Sequence, residues 1–236
     1  MAKAKKLVAK TDTATAKMAR RRLIFNQIVL IFTIGCIFGT YYEEILTLVK
    51  NFWASGGEII WQSRRGLVYG PFSPIYGMGA VGIYLLFYRK KMNWQACFFG
   101  GALLGGAFEY ALSWAQEWLF GTRSWNYSDR WLDIGGRTTV PYMLFWGLLV
   151  LAAAKWLFPL LEKAYQKLEG RKLNVFCLLL GMFLLFDITM SLGATLRQAQ
   201  RREGDPADNV VEQFFDKEFP DERLKQIYDN AVYVKD

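Results

Sequence analysis

The chain has 236 residues, 53% of them hydrophobic, 17% aromatic and 21% charged, and a formal net charge of +8. It contains no histidine, and Cys36, Cys97 and Cys177 stand singly in apolar segments without metal-type spacing, which argues against a metal centre, a bound cofactor and histidine-based catalysis. Charge gathers between five long apolar segments, the pattern of an all-α polytopic membrane protein, and the basic surplus follows the loops between them rather than a nucleic-acid-binding patch.

Residues 1–22 hold eight basic residues and one acid, Asp12, and read as a disordered tail lying on an anionic membrane surface. A first span runs from Leu23 to Leu48, with Glu43 and Glu44 near its far end. The second is the uncharged run Gly66–Tyr88, headed by Arg64 and Arg65. It opens Arg65-Gly66-Leu67-Val68-Tyr69-Gly70-Pro71-Phe72-Ser73-Pro74-Ile75-Tyr76-Gly77. Two prolines and three glycines make that opening irregular, and the helix is expected from Pro74 onward, since proline suits a first turn. Irregular backbone at membrane depth must be shielded by protein or by a wet cavity, so this stretch is a candidate working site.

The third span is Trp94–Phe120, the fourth Thr138–Leu161, and the fifth Leu173–Leu196, interrupted only by Asp187. Between the third and fourth, Trp125-Asn126-Tyr127-Ser128 and Gly136-Arg137 suggest an ordered cap. Beyond Arg197 the spacing of Val210, Val211, Phe214 and Phe215, and of Leu224, Ile227, Tyr228, Ala231 and Val232, predicts two short amphipathic helices. Three regions result: the basic tail (1–22), a five-helix membrane domain (23–196) and an amphipathic C-terminal tail (197–236). Arg89-Lys90-Lys91 and the basic loop after the fourth span fall on the side of the N-terminus, which the positive-inside rule makes cytoplasmic. Five crossings then put the C-terminus outside.

An ionisable group within a span is costly unless paired and marks a functional candidate. Glu109 and Asp187 each lie roughly 21–22 Å from the basic edge at 1.5 Å per residue. Glu43 and Glu117 arrive nearer the outer surface, and Arg65 and Arg137 enter from it. These groups are expected to meet in a charged cavity open to the outside, with Tyr69, Tyr76 and Tyr127 completing a substrate-binding set. A purely structural salt-bridge network is the plainer alternative. Gly101-x-x-x-Gly105 allows another helix to come close, and Glu109 continues that face.

The order of these motifs resembles a known family. Glu43 closes the first span, and Arg65-Gly66-x-x-Tyr69-Gly70-Pro71-x-x-Pro74-Ile75-Tyr76-Gly77 opens the second. Glu109-Tyr110 and Glu117-x-x-Phe120-Gly121 mark the third, followed by Trp125-x-Tyr127-Ser128, Gly136-Arg137 and Asp187. Over Gly39 to Leu192 this resembles the bacterial family named "Putative ABC-transporter type IV", of permease-like membrane proteins. Asn126 and Thr40 depart from its usual aspartate and tryptophan. The resemblance implies a bacterial cytoplasmic-membrane protein, such as a permease subunit.

Three functions stay open from the residues. The first is a transporter or permease-like component; the chain has no glycine-rich phosphate loop, so an ABC permease of this kind would need a separate ATPase partner. The second is a membrane-embedded enzyme acting on a lipid or lipid-linked anion, with Arg65 and Arg137 as clamp and Glu109 or Asp187 as base. The third is a membrane scaffold that binds a protein partner. The lipid bilayer is a partner in each, and an anionic lipid or small molecule is the candidate substrate.

Overall fold

The computed structural model describes the backbone of residues 2–168, 170–229 and 231–233, and the side chains of 23–168, 170–229 and 231. Helix α1 (Ala2–Ala54) ends where Gly56 and Gly57 adopt positive φ. The helix includes the backbone of residues 2–22, a stretch rich in alanine, lysine and arginine. Their side chains, and so the expected contact with a membrane surface, lie outside the described residues.

Four helical stretches among the described residues are long and apolar enough to cross a membrane: Leu23–Ala54, α3 (Trp94–Phe120), Val140–Leu168 and α6 (Arg171–Glu203). The third of these consists of α4 (Val140–Ala152), a π-helical turn and α5 (Phe158–Leu168). Large apolar side chains point outward from them. Phe99, Leu103 and Trp118 on α3 and Phe176, Leu179, Leu185 and Phe186 on α6 are more than half exposed. An apolar surface of this extent is suited to lipid.

The second expected span differs from the rest. Its helix is α2 (Pro74–Ile83) followed by a π-helical turn (Tyr84–Tyr88). At 1.5 Å per residue this is about 22 Å, less than the roughly 30 Å of a hydrocarbon core. The shortfall arises because residues 66–73 are spent on non-helical backbone.

Helix directions alternate. Tyr84, in the π-helical turn, bonds to Gln27 while Tyr76 packs on Gly39, so α2 runs antiparallel to α1. Gly101, Gly105 and Gly106 of α3 face Val150, Trp146 and Met143, so α4 returns along α3. Asn26 bonds to Asn174 and Cys36 packs with Leu184, so α6 runs parallel to α1. The basic stretches at 89–91 and 171–172 therefore share one end of the bundle, where Tyr88 bonds to Glu162 and Lys155 to the Met92 carbonyl.

At the opposite end the chain forms two two-stranded pieces. Strands β2 (Asp133–Ile134) and β3 (Thr138–Thr139) make a hairpin, and β1 (Thr122–Arg123) pairs antiparallel with β4 (Val232–Tyr233). Two short helices stand in the tail, α7 (Val210–Glu218) and α8 (Asp221–Ile227). The second is shorter than its spacing predicts, because Val232, expected on its apolar face, pairs in β4 instead. Phe219, Leu224 and Ile227 pack on Ala194 of α6 and on Val68. Arg197 and Arg201, at the end of α6, bind Asp216, and Arg201 also binds Asp221. The cysteines Cys36, Cys97 and Cys177 are free and buried, as packing residues are.

Candidate functional site

The β2–β3 hairpin positions the first cluster. Its turn uses Gly135 and Gly136, both at positive φ, and the Asp133 carboxylate accepts the Gly136 N–H. A Cβ on Gly136 would stand 2.5 Å from Ser128 Oγ, so only glycine lets residues 126–128 close over the turn. The hairpin delivers Arg137 and Thr138 to the C-terminal half of α3, and the Trp125 indole anchors the Arg137 carbonyl at 2.9 Å.

On α3, Glu109 is half-buried and accepts three hydrogen bonds, all from neutral groups. Tyr127 Oη donates to Oε1 at 3.0 Å, Thr138 Oγ1 to Oε2 at 2.7 Å, and Trp146 Nε1 to Oε2 at 3.4 Å. Glu43 of α1 accepts a short hydrogen bond from Tyr76 of α2 and lies close enough to repel the Glu109 carboxylate. Neither acid is ion-paired among the described residues. In the loop, burial and then the Glu109 carboxylate hold the Tyr127 phenol well above its usual range, so it stays a donor.

Two turns further along α3, Glu117 is fully engaged. It binds Arg123 through two nitrogens at 2.6 and 2.9 Å and Arg137 at 2.5 Å. Arg137 also donates to Ser113 at 3.1 Å and lies over the Tyr110 ring.

The second cluster lies on α6, beside the irregular segment. Gly66 and Leu67 both donate to the Phe72 carbonyl, and Ser73 donates to Cys36 of α1. The Val68 N–H is received by Ser191 Oγ at 2.9 Å and the Tyr69 N–H by Asp187 Oδ1 at 3.1 Å. The backbone that a bilayer cannot satisfy is thus bonded by protein. Asp187 is wholly buried, and its Oδ2 has no hydrogen-bond partner. Arg65 lies within electrostatic reach of it, with a buried Nε likewise unpartnered. Tyr228 of the C-terminal lobe lies near both, beside Ser191 and Thr195.

The nine residues expected to converge therefore divide. Glu43, Tyr76, Glu109 and Tyr127 form one group, with the Glu117–Arg137 pair above it on α3. Arg65 and Tyr69 of the irregular segment form another with Asp187 of α6. Arginines and acids do not all pair across one space. Glu109 and Glu43 take tyrosine partners, and Asp187 serves backbone.

Two described recesses include none of the nine: an apolar groove between α1 and α6, and a polar one at Gln198, Arg202, Asp221, Glu222 and Lys225. Sequence reading missed Thr138, Trp146, Ser113, Arg123 and Ser191. A signal existed for Trp146, because a large residue must lie opposite the Gly101–Gly105 face that Glu109 continues. None existed for Ser191, whose partner is a backbone N–H.

No curated protein and no solved structure matches the chain. Residues 30–192 match the model of the family described as "Putative ABC-transporter type IV". That span holds all nine residues and leaves out the N-terminal extension and the lobe of α7 and α8. It covers more than half of the chain, which belongs to this family.

Proposed function

We propose that the chain is the membrane-embedded component of a transport system in a bacterial cytoplasmic membrane, and that Glu43 and Glu109 with Tyr76 and Tyr127 form the place where a cationic solute or a proton is taken up. Family membership and four apolar helices support a transport-related membrane protein. The observation that carries the finer reading is the state of the charges. The arginines that would clamp an anion at this site, Arg123 and Arg137, are committed to Glu117, whereas Glu43 and Glu109 stand together with neutral donors alone. Two neighbouring carboxylates in a span repel each other until a positive charge or a proton enters.

The alternating helix directions and the shared end of the basic loops support five crossings, with Pro74–Tyr88 the shortest. They favour a cytoplasmic N-terminus and a C-terminal lobe outside. A separate ATPase would dock at the cytoplasmic end, on the loop of Arg89, Lys90 and Lys91 and the end of α5.

The test uses membrane vesicles from cells producing the full chain, its Glu43→Gln form or its Glu109→Gln form. Internal pH is followed with a dye, and solute content is profiled by mass spectrometry. The native chain should support a proton or cation flux that both variants lose while keeping native yield and melting temperature. Equal flux in all three samples would rule the reading out. Loss of folded protein in both variants, with no flux change per folded molecule, would make the cluster structural.

A further inference from the structure

The seam between α1 and α6 is open on one side. There a groove of about 350 Å³ is lined by ten residues, all apolar, among them Phe25, Val29, Phe32, Gly181, Met182 and Leu185. That volume is at the small end of ligand pockets. The two helices approach less closely here than α3 and α4 do. A Cβ on Gly181 would meet Phe25 at 3.4 Å and Val29 at 3.6 Å, ordinary contact, whereas one on Gly101 would be driven to 2.6 Å from Val150. Leu178, Met182 and Leu185 at its rim are half or more exposed.

Charge at one end of the groove identifies its occupant. Arg171 precedes Leu178 by seven residues and Met182 by eleven, so it falls on the same face of α6, about 10 Å from Leu178 along the axis. Arg171 and Lys172 are exposed, and neither is ion-paired among the described residues. In sequence, Arg20, Arg21 and Arg22 come just before Phe25. An apolar slot with cations at its mouth matches an amphiphile with an anionic head and an alkyl tail. A polar solute would find no hydrogen-bonding side chain in the slot. A second copy of this chain would set Arg171 and Lys172 against their own like charges.

We propose that the α1–α6 seam binds one anionic phospholipid from the leaflet at the basic end of the bundle, with an acyl chain in the groove and its phosphate on Arg171 and Lys172. The lipid completes the packing that the two helices leave undone and ties the first and last membrane helices of the bundle together.

Native mass spectrometry of the full chain, titrated with phosphatidylglycerol or phosphatidylcholine of identical chains, tests this. Phosphatidylglycerol should bind preferentially, and an Arg171→Gln/Lys172→Gln form should lose about fivefold in its affinity per charge removed, with phosphatidylcholine little changed. Gly181→Leu fills the slot and should abolish retention of the lipid. Leu178→Trp, at an exposed rim position, should do the same where Gly181→Leu lowers folded yield. Equal affinity for the two lipids, or retention unaffected by the filling substitutions, overturns the proposal. So does a disulfide between Leu178→Cys copies in vesicles at high yield, which would give the seam to a second chain.

Discussion

The α3–α4 and α1–α6 seams join membrane helices by opposite means. Along α3–α4, glycines from both sides admit the other helix. A Cβ on Gly105 would lie 2.5 Å from Trp146, and one on Gly147 would lie 2.6 Å from the Phe98 carbonyl oxygen. Backbones that close leave no room for lipid, and Glu109 sits at the end of the row with its oxygens filled. Along α1–α6 the contact is held at two levels instead. Asn26–Asn174 closes it near the basic end, and Cys36 with Leu184 closes it near the middle. Between and beside them the seam gapes, and higher up the space is occupied by the non-helical segment 66–73. Where helices have equally apolar surroundings on every side, small residues decide which pairs fuse and which stay ajar.

The sharpest way to break this contrast is at Gly147. Gly147→Leu should force α3 and α4 apart, since the first atom added collides with backbone, and should cost about 3 kcal/mol or more in a detergent unfolding titration. Gly181→Leu, the equivalent enlargement in the other seam, should cost far less. Similar losses at the two positions would end the distinction.

Next in size is Asp187. Asp187→Ala leaves the Tyr69 N–H without an acceptor deep in the bundle and should cost about 1–3 kcal/mol. Asp187→Asn keeps an amide oxygen at that place and should cost less. Hydrogen exchange at Val68 and Tyr69 should rise in the alanine form first. Unchanged exchange there would show that the segment is held by other contacts.

A smaller effect follows from the C-terminal lobe. Arg197 and then Arg201 hold the Asp216 carboxyl below the usual aspartate range. A lowered folded-state value means that this contribution is present above the ordinary aspartate pKa of about 3.9 and fades as pH falls through the depressed value. Because the pair is partly exposed, screening makes it modest. Proteolysis within 204–229 should accelerate below that pH and on adding salt, and Asp216→Asn should make the accelerated rate independent of acid. Smallest of all is Gly79→Ala. Gly79 faces open space, so the change should be neutral or stabilise α2 by less than about 1 kcal/mol.

Much of this architecture was legible from periodicity and punctuation. Four long spans, the helix start at Pro74, the two helices of the tail and the placement of Glu109 on a glycine face all follow from spacing alone. The shortness of the second helix was half-visible. Pro71 and Pro74 announce irregular backbone, but the residues consumed by it depend on where Cys36, Asp187 and Ser191 accept its N–H groups. Partner choice was the least legible. Topology brought acids and arginines to one end, yet Arg137 chose Glu117 over Glu109 because the Gly135–Gly136 turn aims it one way and Thr138 another. That decision is made by a hairpin two residues wide, below the reach of any charge count.

The pairing of Val232 with Arg123 has its own consequence. It turns the stretch after α6 into a strap buckled at both ends, and Arg123, in the buckle, also grips Glu117. Those two links join the strap to the C-terminal tip of α3. A single cut between Gly204 and Asp229 would open the strap while leaving every membrane helix whole.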